Sequence, residues 1–418
     1  MKHHIILGGM TSLWITASVF AQDQIDYTQP VATRPIVADE EERFVRLGSW
    51  KLLPKVQLSE SFDSNIYATA TREKDSFITR LIPTVKLQSD WAVHQVALEA
   101  GVDAGWYQDY GDEDYQDYFI TNRNRFEILR GNALLTEASY KREHEARSSP
   151  DNVGASAEPV TYDDLHGMLG FERSVGVVSL RVDVSADTLD YDDTDRFGGG
   201  TVDNSYRDRT VVDGGFKLTY TREQTSQAYF SARLLDTSYD DSTVGGRPDR
   251  DNSGFDLALG LRKNLSSIWI FDAYAGYSPR NMADPSLEDI SGADAIAFGA
   301  KVLWNPTKLT SVVGNFDRKT YETTVTDASA LVHTALAFRV EHKLTESFLL
   351  DGNLGYAFDD YAGSPREDDI YSAGLGASYF FTKLVSVRSA YNYYERSSSI
   401  ASNDYDKHVA TVQLRLNF

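Results

Sequence analysis

The end of this chain limits its fold more than any other part of it. Ala410, Val412, Leu414, Leu416 and Phe418 alternate with Thr411, Gln413, Arg415 and Asn417. A strict period of two places the apolar set on one side of an extended strand and the polar set on the other. The same alternation recurs upstream. Phe255, Leu257, Leu259 and Leu261 alternate with Asp256, Ala258, Gly260 and Arg262. Tyr371, Ala373, Leu375, Ala377 and Tyr379 alternate with Ser372, Gly374, Gly376 and Ser378. Aromatic residues sit near the ends of several runs, and Ala, Val, Leu and Gly fill the middle.

The connections alternate too. Short ones, such as Arg130-Gly131-Asn132 and Asn305-Pro306-Thr307, take turns with long polar ones at 147–160, 192–204, 240–252 and 282–292. Short–long parity belongs to transmembrane barrels, which have tight turns at one rim and long loops at the other. A Greek-key sandwich does not keep it. Counting runs predicts an all-β fold, an antiparallel up-and-down barrel of about 18 strands with both termini periplasmic. The stretches 118–129 and 309–321 alternate poorly and leave about 16 strands open. At either size the lumen is wide enough to hold water.

Bulk properties agree. The mean hydropathy of −0.39 is too polar for helical membrane spans. It suits strands that show lipid only every second residue. There are 24 tyrosines and 20 phenylalanines, residues that favour strands and, for Tyr, membrane interfaces. A formal charge of −21 excludes nucleic acid as a partner. The absence of cysteine excludes disulfides and thiolate metal sites.

Lys2, His3 and His4 precede an apolar stretch from Ile5 to Phe20, then Ala21 and the polar Gln22-Asp23. This reads as a cleaved signal peptide over 1–21. A flexible periplasmic segment follows over 22–51, then the barrel over 52–418. The expected location is the outer membrane of a Gram-negative cell. Partners there are outer-membrane lipid and lipopolysaccharide, and the barrel assembly machinery. The terminal Phe418 fits that machinery's signal as well as it fits the apolar face of a last strand.

The polar face supplies candidate lumen residues: Arg80, Lys86, Glu99, Asp103, Arg181, Asp183, Lys217, Arg262, Asp272, Arg339, Glu341, Asp351, Arg388 and Arg415. Charges of both signs across a wet lumen can pair and set selectivity, or only keep the interior hydrated. Tyr107, Tyr110, Tyr115 and Tyr274 are candidates for stacking on sugar rings, or for packing across strands. Acidic loop clusters such as Asp112-Glu113-Asp114 lack the spacing of a calcium loop. No hydrolase, phosphate-loop or dinucleotide motif occurs. His166, His333 and His408 would need partners from other strands to do chemistry. No enzyme, cofactor or metal site is expected.

Several phrases resemble the putative β-barrel porin 2 family. Gly48-Ser49-Trp50-Lys51-Leu52-Leu53-Pro54 leads into Ser61-Phe62-Asp63-Ser64-Asn65-Ile66-Tyr67. Ser76-Phe77 through Leu81-Ile82-Pro83, then Trp91-Ala92-Val93-His94, is similar to the family's first return hairpin. Thr382-Lys383-Leu384, then Tyr391 to Ser398, is similar to its repeated hairpin. The resemblance runs from about Gly48 onward. It implies an outer-membrane channel serving export of an exopolysaccharide or capsular polysaccharide, alongside periplasmic polysaccharide-export components. That function comes from the likeness alone. The alternatives are a general diffusion porin for small solutes, or a structural or adhesive surface barrel.

Overall fold

The computed structural model describes residues 44–418 apart from 153, 223–224, 241–245 and 267. The expected signal peptide over 1–21, and the expected periplasmic segment as far as residue 43, lie outside the described residues. Eighteen antiparallel strands form one closed sheet. They are β1 (Trp50–Asp63), β2 (Ser76–Ser89), β3 (Gln95–Tyr107), β4 (Tyr115–Leu129), β5 (Asn132–His144) and β6 (Thr161–Val175). Next come β7 (Val178–Tyr191), β8 (Arg209–Arg222), β9 (Ser226–Tyr239), β10 (Asn252–Asn264), β11 (Trp269–Tyr277) and β12 (Ile296–Trp304). The last six are β13 (Thr310–Tyr321), β14 (Ala330–Thr345), β15 (Phe348–Ala362), β16 (Glu367–Phe380), β17 (Val385–Ser398) and β18 (Tyr405–Asn417).

Each strand pairs with its neighbours in the chain, and β18 returns to β1, from Lys55↔Asn417 to Asp63↔Val409. The ring therefore leaves no open edge. The stretches at 118–129 and 309–321 are full strands, which resolves the count at eighteen. Beyond the reach of β18, the start of β1 is covered by a three-residue strand, Val45–Leu47. The boundary read at 51/52 thus falls inside β1. At Pro279 the wall is interrupted, since proline has no N–H for the ladder. Pairing with β10 resumes over Arg280–Met282.

Burial runs opposite to that of a water-soluble fold. Leu375 is 72% exposed, Leu234 70% and Leu259 65%, while Asp359, Asp368 and Glu341 are buried. Leucine outside and carboxylate inside is stable only if the outside meets lipid. On β16 the apolar residues are bracketed by Tyr371 and Tyr379, roughly 26 Å apart along the strand. That spacing fits a belt between two interfacial girdles. Trp269 and Trp304 stack at 5.3 Å on the outer face.

One rim carries the tight turns. Gly131, at φ +77°, makes the turn between β4 and β5, a conformation that costs glycine little. Both described ends of the chain lie at this rim, where the Phe418 N–H donates to the Pro54 carbonyl at 3.1 Å. The opposite rim carries the long loops.

Candidate functional site: the lumen wall and the loop across it

The cross-strand register fixes which side chains share a face. Starting from the buried Asp351, it carries the inner face through Gly376, Arg388 and Gln413 to Ser59 and Arg80. All fourteen charged residues singled out from the alternation fall on this inner face.

Most of them meet. The Arg80 Nε donates to Asp103 Oδ1 at 2.6 Å. Lys86 stands opposite Glu99 in the register. Arg181 donates to Asp183 at 2.9 Å, and Asp183 also accepts from Arg233 at 2.5 Å. The Lys217 ammonium lies 4.7 Å from the Tyr229 ring centroid. Arg262 and Asp272 approach to 4.0 Å. Arg339 pairs with Glu341 at 2.8 Å, and Arg388 grips Asp351 with two nitrogens, one at 2.8 Å. Arg415 donates to Gln57 at 3.3 Å.

The tyrosines divide. Tyr107, Tyr115 and Tyr274 face inward, and Tyr110 lies in a loop with its ring 5.9 Å from that of Tyr67. Tyr115 stacks on His144 at 3.9 Å. Tyr115 lies over Gly105 and Tyr274 over Gly299, where any Cβ would overlap the ring. These two rings are thus laid along the wall by a glycine on the next strand, and they take up less of the lumen.

The alternation also held residues that the sequence reading passed over. Arg233 shares its inward parity with Ser231, opposite Lys217, and it joins Asp183 to Asp213. Two of the three candidate histidines have carboxylate partners on the next strand: His166 with Asp187 at 2.7 Å and His333 with Asp359 at 2.5 Å. Ser139 is the register partner of His166, yet no hydrogen bond joins them among the described residues. His408 is on the outer face, accepting from or donating to the Tyr391 hydroxyl at 2.7 Å.

The loop between β5 and β6 does what no period could foretell. Its first residues leave the wall and cross the mouth. Glu145 is held by a two-pronged bond from Arg207, at 2.7 and 3.0 Å. Arg147 grips Glu113 in the same way, at 2.5 and 2.9 Å. The tip then reaches the far side. Arg366 donates to the Pro150 carbonyl at 3.1 Å, and Arg396 to the Ser148 carbonyl. Asp151 Oδ1 accepts from the Thr323 hydroxyl at 2.6 Å and the Thr324 N–H at 3.1 Å. In a ring of eighteen, the β14–β15 boundary is diametrically opposite the β5–β6 boundary. These anchors flank it.

The anchors are themselves fixed. Arg366 pairs with the buried Asp368 at 2.6 Å and lies 4.2 Å from the Tyr361 ring. Arg250, 3% exposed, donates to the carbonyls of Thr323 and Ala328, both at 2.8 Å. Near this mouth Asp208 accepts the Tyr191 N–H at 2.7 Å. Burial, with help from Asp190, Asp240 and Asp193, pushes its carboxyl up to about 6.

A closed barrel, apolar outside and lined within by ion pairs, defines a transmembrane channel protein of the outer-membrane type. The family model described as "Putative beta-barrel porin 2" matches residues 44–418, and the chain belongs to that family. The chain is also similar to solved structures. OccK2 from Pseudomonas aeruginosa, crystallised with glucuronate, is 10% identical with a TM-score of 0.50, over 89% of this chain and 99% of that one. OccAB3 from Acinetobacter baumannii is 12% identical with a TM-score of 0.48, over 89% and 100%. No curated protein matches the chain.

Proposed function

We propose that the protein is a passive diffusion channel for small hydrophilic solutes in the outer membrane of a Gram-negative cell. Its short turns and termini would face the periplasm and its long loops the outside. The observation that carries this reading is the loop 145–152, tied across the mouth above a charged wall. A path divided by a fixed loop admits small solutes in single file. It counts against passage of a polysaccharide chain, the export function implied by family resemblance, for which the geometry offers no support. The paired charges of the wall let ions and polar molecules pass without a strong preference for either sign.

The test is conductance of the purified, refolded protein in planar bilayers, with liposome swelling in neutral sugars of rising size. Stable discrete currents and a sharp size cut-off are expected. A protein that inserts but passes neither ions nor monosaccharides would overturn the proposal.

A further inference from the structure

Along much of the lumen wall an arginine is answered by a carboxylate. One arc of the wall departs from this. It crosses four consecutive strands, through Arg388 on β17, Arg415 on β18, Lys55 on β1 and Lys86 on β2. The register links them in steps. Arg388 stands opposite Gln413, Arg415 opposite Gln57, and Lys55 opposite Thr84. Each cation is thus two residues nearer the short-turn rim than the register partner of the one before. The register line itself climbs the other way, because the strands of a barrel are tilted. From Phe348, at the turn end of β15, it passes Leu414 and Leu58 and reaches Gln116, near the loop end of β4. Step and climb offset each other, so the four cations stand at about one height.

One end of the arc is neutralised. Arg388 is held by Asp351, and its guanidinium lies along the wall over Gly376, where any Cβ would overlap it. Arg415 donates to the Gln57 side-chain oxygen at 3.3 Å and, among the described residues, forms no ion pair. The charges that act on it are those of other cations, Arg388 and Lys55. Glu99 on β3 faces Lys86 across the register and also acts on Lys55. Among the described residues it closes to ion-pair distance with neither. Three cations therefore share one carboxylate, in a chain whose acidic residues outnumber its basic ones by 62 to 41. A shortage of acids does not account for the gap. Arg415, Lys55 and Lys86 are all half-buried, so each keeps surface open to the lumen.

Like charges on neighbouring strands repel, and partial burial weakens the screening that water supplies. An anion placed among them replaces that repulsion with attraction. A carboxylate suits the arc best. Its two coplanar oxygens match the fork of a guanidinium, and the ammonium groups of the lysines add point charges beside it. An organic cation would meet the repulsion instead, and a neutral solute would gain hydrogen bonds without the charge.

We infer that this arc is a binding station for small carboxylate anions, on the inner wall between the crossing loop and the short-turn rim. The inference deepens the channel reading by naming a solute class that the lumen holds. It rests on that reading for its role in transport, but not for binding itself.

Three ligands of one shape and different charge test it: propionate, propionamide and propylammonium. Each is titrated against the full chain in zwitterionic detergent micelles at neutral pH and low salt, and binding is read from the ligand's NMR relaxation, with empty micelles as the blank. Propionate should bind roughly tenfold or more tightly than propionamide, as one charged hydrogen bond predicts, and propylammonium least. Arg415→Gln and Lys55→Gln should each erase most of the preference for propionate. Arg130→Gln, which removes a positive charge from the β4–β5 turn, should leave the preference intact. Heat-modifiable migration on gels verifies that each variant retains the barrel. Equal or tighter binding of propylammonium, no binding of propionate, or a propionate preference that survives both arc substitutions would overturn the inference. Conductance measured on the same samples separates the two readings. Currents without propionate binding sink the station alone, and propionate binding without currents sinks the channel alone.

Discussion

Asp151 offers the sharpest handle on the crossing loop. Its Oδ1 takes two hydrogen bonds from the far side of the mouth, one from the Thr323 hydroxyl and one from the Thr324 N–H. Hydrogen bonds to a charged group contribute about 1.5–3 kcal/mol each. Removing both in Asp151→Ala forfeits about 3 kcal/mol even at the lower bound, before any relief from desolvating the carboxylate. At about 1.4 kcal/mol per factor of ten, the attached state weakens relative to the released one by roughly two orders of magnitude. The remaining anchors, Arg366 to Pro150 and Arg396 to Ser148, keep the loop attached most of the time. Single-channel recording should therefore show the quiet current of the parent replaced by brief excursions to a larger conductance. A second variant supplies the converse. The chain has no cysteine, so Asp151→Cys with Thr323→Cys provides one defined pair of thiols to cross-link across the mouth. Oxidation should silence the excursions, and reduction should restore them. Identical conductance and noise in the parent and in Asp151→Ala would refute the claim that this loop sets the width of the path.

Other outcomes follow from the wall and the rim. Leu375→Arg on the lipid face of β16 should cost about 2–4 kcal/mol in a refolding titration into lipid, whereas Thr411→Lys, facing the lumen, should escape that penalty. Asp351→Asn leaves the Arg388 guanidinium without its carboxylate, so the reversal potential in a KCl gradient should move toward anion preference. At the mouth, burial disfavours the charged form of Asp208 and raises its folded value to about 6, above the ordinary value near 4. A raised carboxyl opposes folding once ionised, so stability should fall as pH rises through about 4 to 6. Asp208→Asn, which still accepts the Tyr191 N–H, should flatten that dependence and raise the melting temperature at pH 7.5. An unchanged pH profile would show that Asp208 is not the group responsible.

The wall was legible because lipid imposes a rule on every second residue. The strand count, the fourteen inward charges and the girdles all follow from that rule. The two weak stretches have local causes. On β4 the outer face carries Asn122 and Asn124, which satisfy each other and the Thr136 hydroxyl, so polar residues stand where lipid-facing ones are expected. On β13 the outer face carries Arg318 and Thr320, held by carbonyls of the adjoining loop. The mouth was not legible, because its bonds join residues that have no periodic relation. Arg207 and Glu145 are 62 positions apart, and Arg366 and Pro150 are 216 apart. A reader of the sequence sees acidic, arginine-bearing loops and expects solvent. The structure folds them into one buried network. Resemblance identified the family, but the cargo it suggested did not follow from the residues.

The seam between β1 and β18 also governs when the molecule can exist at all. The Ser61 and Thr411 hydroxyls meet across it at 2.9 Å, although 350 positions separate them. Until β18 arrives, the first strand has bare amides and carbonyls along one side, and hydrocarbon tolerates no such edge. Truncation into this seam therefore cannot yield a smaller working version: losing β18 leaves the sheet open. The fold in this way checks its own assembly, since only a sheet with β18 in place beside β1 can seal itself into the bilayer.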